Sequence, residues 1–249
     1  MQSGFRMAAL AAVLTALPSL AFAQWNPAAT MMLGQGLGPI NLMVGNLSLG
    51  ISTFSAYTHG RSGAAGQAAP TAAEAARFNF TRSPEISDQV REQYIATLTR
   101  THPESRAMFE QAFAGDTIFE QFQALQARYG LSATNVVDAT AAFSLISWEI
   151  VNNGSGGDAQ AGRAVRDQLM RAAKNTPAML KLTNAEKQQA AEMLAFQVVM
   201  DTAMSDSFTK RGLTDKLQVL RSQVREAAMK LGPDPAKLKL TPAGFAQTP

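Results

Sequence analysis

Residues 135–157 read NVVDATAAFSLISWEIVNNGSGG, and this stretch decides the fold class. Asn135 is a residue type that commonly caps the start of a helix. Between Asp138 and Glu149 the stretch carries no charged side chain, which is typical of a helix that is buried on most of its sides. The run of asparagine, serine and glycine at 152–157 then ends the helix. The stretch therefore predicts a buried helix inside a helical domain.

Helix start and stop signals recur on both sides of this buried helix. Three helices are predicted before it and three after it, so the domain has about six or seven in all. No run after Phe78 has the alternation of a strand, and the sequence therefore predicts an all-α helical bundle over residues 78–249. The predicted helix starts are Ser83-Pro84, Pro103, Asp116, Asn135, Ala159, the capping box Thr183-Asn184-Ala185-Glu186, and Thr214.

Two motifs in this domain resemble an uncharacterised family of secreted, all-helical proteobacterial proteins. They are YGLSATNVVDATAAF at 129–143, followed by Trp148, and LGPDPAKLKLTPAGF at 231–245. The resemblance covers roughly residues 78–245. It implies secretion and a helical domain, and it implies no activity. The glycine-rich region before residue 78 lies outside this resemblance.

The N-terminus has the features of a cleaved signal peptide. Arg6 precedes an apolar run that ends at Ala21-Phe22-Ala23. Cleavage at Ala23/Gln24 would remove residues 1–23 and leave no transmembrane span. The chain has no cysteine, which excludes a lipoprotein, disulfides and thiolate metal sites. These features predict a periplasmic or secreted protein of the bacterial envelope.

Residues 24–77 form an arm that is rich in glycine and alanine and has few charges. Residues 60–76 are low in complexity, and this composition predicts a linker. The segment 39–57 is amphipathic, and its pattern fits either a helix or a hairpin that turns at Gly45-Asn46. We favour the helix because the rest of the chain is predicted to be helical and an isolated hairpin is marginally stable. The apolar face of this helix consists of Ile40, Val44, Leu47, Ile51 and Phe54.

The charge of the chain is small overall and uneven along its length. The net charge of +3 does not indicate nucleic acid as a partner. After Ser207, however, Lys and Arg outnumber Asp and Glu. This region is either a solvated face that balances acidic helices or a surface for an anionic glycolipid, polysaccharide or acidic protein. The residues of this predicted basic patch are Lys216, Arg221, Arg225 and Lys230.

The sequence predicts no catalytic, cofactor-binding or metal-binding residues and no cofactor. Its two histidines, His59 and His102, lie apart in predicted loops and lack the spacing of a metal site or a catalytic triad. We interpret Asp138 as accepting hydrogen bonds from the N-terminus of its own helix. Glu149 lies about 16 Å further along that helix, which is beyond the separation of paired glycosidase carboxylates.

Three hypotheses for the function are compatible with these patterns. The favoured one is a non-catalytic helical module that binds an unknown protein or envelope component. The alternative is a carrier of a small apolar ligand or lipid, with a pocket between the fourth and sixth helices lined by Phe143 and Trp148, although these residues also suit a core. The third is a hydrolase that would assemble Glu149, Asp201 or Asp206 across helices.

Overall fold

The computed structural model describes residues 69–100, 103–154 and 157–248. Within these ranges the chain forms nine α-helices and one two-stranded antiparallel sheet. The helices are α1 Ala72–Ala76, α2 Pro84–Thr99, α3 Arg106–Ala112, α4 Thr117–Arg128, α5 Val136–Asn152, α6 Ala159–Ala173, α7 Pro177–Leu180, α8 Asn184–Lys210 and α9 Thr214–Leu231. The strands are β1 Leu238–Thr241 and β2 Gly244–Gln247, and 3-10 turns cover Pro103–Ser105 and Pro235–Lys237. The prediction of a mostly helical chain is confirmed.

Helix α5 is the buried helix that the opening stretch predicts. It packs against α6, α8 and α9. Its small residue Ala141 and its large residue Phe143 are both buried. Asn135 caps it as predicted, because its side-chain oxygen accepts hydrogen bonds from two backbone N–H groups of the first turn. The neighbouring helices therefore surround α5 on several sides, as its lack of charge predicts.

Helix α8 is the longest of the described helices and packs against α2, α4, α5 and α9. It begins with the predicted capping box. Thr183 accepts from the backbone N–H of Glu186 at 3.2 Å, and the Glu186 carboxylate accepts from the Thr183 N–H at 2.8 Å. In the core, the Phe196 ring lies 4.8 Å from the Tyr94 ring and 5.3 Å from the Phe113 ring, between centroids. Together, α5 and α8 supply much of the buried core.

The prediction of an all-α domain is wrong at the C-terminus, where β1 and β2 form a hairpin with Leu240 opposite Phe245. The strands are short and Pro242 follows the first one, so sequence periodicity alone does not separate them from a loop. A two-stranded hairpin is marginal by itself. Packing on the helices stabilises this one, because the indole N–H of Trp148 donates to the Leu238 carbonyl at 2.9 Å and β2 contacts α6.

The end of the predicted linker, residues 60–76, is helix α1 instead. Thr71 and Glu74 form a capping box around its first turn, and Glu74 pairs with Lys174 at 3.0 Å. The alanine-rich composition conceals this helix because alanine is at once a low-complexity residue and the strongest helix former. The packing of the helical domain therefore includes residues before the predicted boundary at Phe78.

Several predictions concern residues outside the described ranges. They are the signal peptide 1–23, the apolar face of segment 39–57, and the environments of His59 and His102. Among the helices that the structure does describe, none combines the length and the hydropathy that a membrane span requires.

Candidate functional site

A connecting segment, residues 77–83, joins α1 to α2 and lies against the bundle, and we call it the strap. Its aromatic side chains Phe78 and Phe80 are buried. The Phe78 carbonyl accepts a hydrogen bond from the Val136 N–H at 3.1 Å, and the Phe80 N–H donates to the Thr134 carbonyl at 2.9 Å. One side of the strap is thus paired, as in a short antiparallel bridge, with the residues that begin α5.

Two side-chain amides of α8 bind the next part of the strap. Asn184 accepts from the Thr81 N–H at 2.7 Å and donates to the Thr81 carbonyl at 2.8 Å. One turn later, Gln188 makes the same two hydrogen bonds with Ser83, at 2.8 and 2.7 Å. Four residues of helix and two residues of extended chain each advance about 6 Å, so the amides match the spacing of the strap. Each amide thus makes the pair of hydrogen bonds that a neighbouring strand would make with that residue of the strap.

A third amide repeats this arrangement at the C-terminal hairpin. Gln168 on α6 is buried, donates to the Phe245 carbonyl and accepts from the Phe245 N–H, both at 2.9 Å. The backbone polar groups of Phe245 are therefore satisfied by one side chain. The strap and the hairpin, near the two ends of the described chain, are attached to the bundle by the same chemistry.

Arg82 in the strap is the centre of a charge cluster that reaches from the surface, where Asp116 is exposed, to the buried Glu192. Its guanidinium contacts Asp116 at 2.6 Å and Glu192 at 3.0 Å, and it lies 4.3 Å from the centroid of the Phe119 ring. Glu192 also accepts from the Ser87 hydroxyl at 2.9 Å. Asp116 stands at the predicted N-cap position of α4, but in the described structure its side chain binds Arg82 and makes no cap hydrogen bond. The hydrogen bond from Arg82 lowers the pKa of Asp116.

The prediction that Asp138 accepts hydrogen bonds from the N-terminus of its own helix is wrong. The Asp138 carboxylate accepts from the backbone N–H of Ser132 at 2.7 Å, in the preceding loop. Gln126 donates to the carbonyl of the same Ser132 at 2.8 Å. Burial raises the pKa of Asp138. The two side chains fix the loop between α4 and α5, which contains the first residues of the motif at 129–143.

Glu149 belongs to a different cluster. Its carboxylate oxygens lie 2.7 and 2.8 Å from the Arg128 guanidinium, and one of them accepts from the Gly157 N–H at 3.3 Å. Arg128 also donates to the Tyr129 hydroxyl, and burial together with the Glu149 charge raises the pKa of Tyr129. Glu149 thus connects the end of α4 to the residues just before α6.

Asp201 lies inside the core and is 2% exposed. Gln197, one turn earlier on α8, donates to both of its carboxylate oxygens at 2.8 Å. Burial raises the pKa of Asp201 to about 7, and burial also raises the pKa of Asp206. In the described structure Glu149 pairs with Arg128 and Asp201 accepts from Gln197, and the hydrolase stays a hypothesis. No group of three His, Cys, Asp or Glu residues in the described ranges could hold a metal ion.

Two arginines of the predicted basic patch make contacts within the domain. Arg221 donates to the Ile150 carbonyl at 3.1 Å and to the Asn153 side chain at 2.8 Å. Arg225 contacts both carboxylate oxygens of Asp234, at 2.8 and 2.6 Å. The patch therefore attaches α9 to α5 and to the following turn. Lys216 and Lys230 are the other two patch residues, and an anionic partner stays a prediction.

The two residues predicted to line a pocket lie in packed surroundings. Phe143 is part of the buried core. Trp148 is half-buried; its ring centroid lies 6.3 Å from that of Phe245, and its N–H binds the hairpin. These contacts agree with core packing, the other interpretation of the pair.

The carboxamides that attach the strap and hairpin were missed by the sequence analysis. Gln188 and Glu192 stand one turn apart on α8, where they interrupt an otherwise apolar face. Gln168 likewise lies one turn from the fully buried Val165 on α6. An amide on an apolar helix face predicts a buried polar partner, because buried amides are rarely left unpaired. The sequence therefore indicates that these side chains have buried polar partners, but it does not indicate which residues those partners are.

The fold and these contacts define a helical-bundle protein whose strap and terminal hairpin are bound by side-chain amides. The chain belongs to a family of unknown function, DUF6683, whose sequence model matches residues 3–248. The match includes the region before residue 78, which the resemblance described above leaves out. No curated protein and no solved structure gives a significant match to the chain.

Proposed function

We propose that the protein is a non-catalytic module that binds another protein through segment 39–57, with the helical bundle as its anchor. The observation that carries this proposal is the attachment of the chain to the bundle at Ala75 and Arg77, which follow that segment in sequence. The Ala75 carbonyl accepts from the Asn135 side chain at 3.0 Å, and the Arg77 carbonyl accepts from Lys187 at 2.5 Å. The arm therefore joins the bundle at one defined place.

A fixed attachment point favours binding by a tethered segment. Glu74 and Lys174 form an ion pair at 3.0 Å beside this point. A segment joined to a rigid body by a short chain samples a small volume, which raises its effective concentration at nearby surfaces. The apolar face predicted for segment 39–57 would be a large patch in water, and such patches are usually buried against a partner.

A protein is the partner that the composition of the arm favours. Residues 24–77 contain Arg61 and Arg77 as their basic side chains, so the arm has little positive charge for an anionic lipid surface. The family match covers segment 39–57, so this segment is part of the sequence that the family model describes, which supports a role for it in the family. We also propose that the protein is periplasmic or secreted. An intact mass that begins at Gln24 would support this location, and retention of residues 1–23 would contradict it.

The test uses the full chain, purified from its own cells and examined by native mass spectrometry. The variant Leu47→Asp, Ile51→Asp places two charges on the apolar face in either the helix or the hairpin interpretation. The control variant Asn46→Asp, Ser52→Asp adds the same charge off that face in both interpretations. We expect a protein partner to be retained by the natural chain and the control, and to be lost from the apolar-face variant.

Other outcomes separate the alternatives. Retention by both variants would exclude segment 39–57 as the binding surface. A bound small molecule in place of a protein would favour the carrier, and turnover of an ester, amide or glycoside by the purified chain would favour the hydrolase. Salt-sensitive flotation with anionic vesicles that the apolar-face variant loses would make the partner a membrane instead.

A further inference from the structure

Two buried polar atoms on neighbouring helices have no hydrogen-bond partner among the described residues. One is the hydroxyl of Tyr94 on α2, and the other is the side-chain oxygen of Gln197 on α8. Tyr94 is completely buried and Gln197 almost completely. A buried polar group without a partner loses the hydrogen bonds that it makes with water in the unfolded chain. Native proteins therefore rarely contain such groups, and each one calls for an explanation.

The Gln197 oxygen lies beside the carboxylate of Asp201, and the Tyr94 ring stacks on Phe196, the residue just before Gln197 on α8. The amide nitrogen of Gln197 binds both carboxylate oxygens, so the oxygen of that amide is adjacent to the carboxylate as well. Burial and then the charge of Asp201 raise the pKa of Tyr94, which places the phenol within the field of the carboxylate. The Gln197 amide is the donor that Asp201 has in the described structure, and a buried carboxylate can accept from several more.

The aromatic cluster keeps the Tyr94 ring in place. The Phe196 ring stacks on it with centroids 4.8 Å apart, and the Phe113 ring meets it edge-on at 5.7 Å. A ring held on two sides does not turn to present its hydroxyl to the solvent. A partner for this hydroxyl must therefore come to it inside the core.

We propose that Tyr94, Gln197 and Asp201 form a binding site for one buried water molecule. The donors and acceptors balance, because the water would donate to the Asp201 carboxylate and to the Gln197 oxygen and accept from the Tyr94 hydroxyl. Three hydrogen bonds to otherwise unpaired groups are typical of buried water. A divalent cation such as calcium takes six or more oxygen ligands, more than these three side chains supply. The water would connect α2 to α8 at the middle of the core.

The first test is a crystal structure of the full chain at a resolution that shows water. We expect one density peak about 2.7–3.2 Å from the three oxygen atoms. The second test is Tyr94→Phe, which removes the hydroxyl and keeps the ring. With the water present, this variant should lower the folding equilibrium constant roughly tenfold at pH 8, and the pKa of Asp201 measured by NMR should rise, because the water loses a partner.

Tyr129→Phe is the matched control, since Tyr129 is also fully buried and its hydroxyl has a known donor in Arg128. A loss of similar size in both variants would support the water site. A Tyr94→Phe chain as stable as the natural one would overturn it, because removal of a truly unpaired hydroxyl costs nothing. A site without density, or with an ion that has more than three ligands, would also overturn the proposal. If Tyr94→Phe does not fold, the crystal structure of the natural chain decides.

Discussion

Gln168 on α6 and Phe245 on β2 are joined by two hydrogen bonds of 2.9 Å between one side-chain amide and one backbone residue. The two residues are 77 positions apart in the chain and both are buried. Because the contact is buried, water does not take over these two hydrogen bonds when the amide is removed. Together with the hydrogen bond from Trp148 to Leu238, this contact holds in place a hairpin that local sequence does not stabilise.

Replacement of the amide should loosen the hairpin. In Gln168→Leu, the N–H and C=O of Phe245 lose their partner, and we expect the free energy of unfolding to fall by roughly 2–4 kcal/mol in urea titrations. Gly244→Ala should act in the same direction, because its φ is +100° and a Cβ there would lie 2.4 Å from the Gln168 oxygen. Gln160→Leu, on the exposed start of the same helix, should change stability by less than about 0.5 kcal/mol. Equal effects at 160 and 168 would contradict this account.

Removal of Arg82 should be among the most damaging single changes. The variant Arg82→Met leaves Glu192 buried without its cation, and such a loss costs roughly 3–5 kcal/mol of folding free energy. Combining it with Glu192→Gln should recover part of this loss, since the buried charge is then removed. Arg91→Met is the control, because Arg91 pairs with the exposed Asp88 and such surface pairs contribute about 0–1 kcal/mol. Chemical denaturation of the natural chain and these three variants measures the difference, and an Arg82→Met loss no larger than that of Arg91→Met would refute it.

Asp201 should make the stability of the domain depend on pH. Burial raises its pKa to about 7 in the folded chain, from 3.8 in the unfolded reference. Above pH 3.8 the carboxyl therefore ionises more easily in the unfolded chain than in the folded chain, and this difference opposes folding. The unfavourable contribution is absent below pH 3.8, grows as the pH rises, and reaches as much as about 4 kcal/mol above pH 7. Asp201→Asn should therefore stabilise the chain at pH 8 and change it little at pH 4.

The control for this titration is Asp88→Asn, which changes an exposed carboxylate. It should shift stability by less than about 0.5 kcal/mol at either pH. Thermal unfolding of the three chains across pH 4–8 is the measurement. A stability difference between Asp201→Asn and the natural chain that stays constant over this range would show that Asp201 does not titrate with a raised pKa.

Replacement of Gly162 by alanine, a change that usually stabilises helices, should lower the stability of this chain. Gly162 lies inside α6, where alanine is favoured over glycine by about 1 kcal/mol. A Cβ at this position, however, would lie 2.3 Å from the Tyr129 carbonyl oxygen, which is backbone and cannot move aside cheaply. We expect Gly162→Ala to destabilise the chain by about 1–3 kcal/mol. Gln160→Ala, in the first turn of the same helix, tests the propensity without the clash, and a stabilised Gly162→Ala chain would show that α6 can shift away.

The helix boundaries were predictable because their signals are local. Asn135 caps α5 and the Thr183–Glu186 box opens α8, each through atoms within three residues of one another. The lack of charge along α5 likewise predicted its burial. These features need no knowledge of the rest of the fold.

The strap, the hairpin and the buried acids were not predictable in the same way, since each depends on distant residues. Asp116 has the sequence position of a cap, yet its carboxylate binds Arg82 from another segment. Asp201 lies on a long helix whose burial comes from packing against α2, α4, α5 and α9. Periodicity gives the face of a helix but not the partner of that face.

The bonds of Asn184 and Gln188 to the strap join residues 103 and 105 positions apart. During synthesis the strap is made early, and it has no partner for these positions until α8 has been translated. The loop that must close is long, so this step is slow compared with the formation of any single helix. The hairpin is translated later still. The bundle therefore reaches its final form late in translation, and a nascent chain that stops before α8 leaves the backbone of Thr81 and Ser83 without these amide partners.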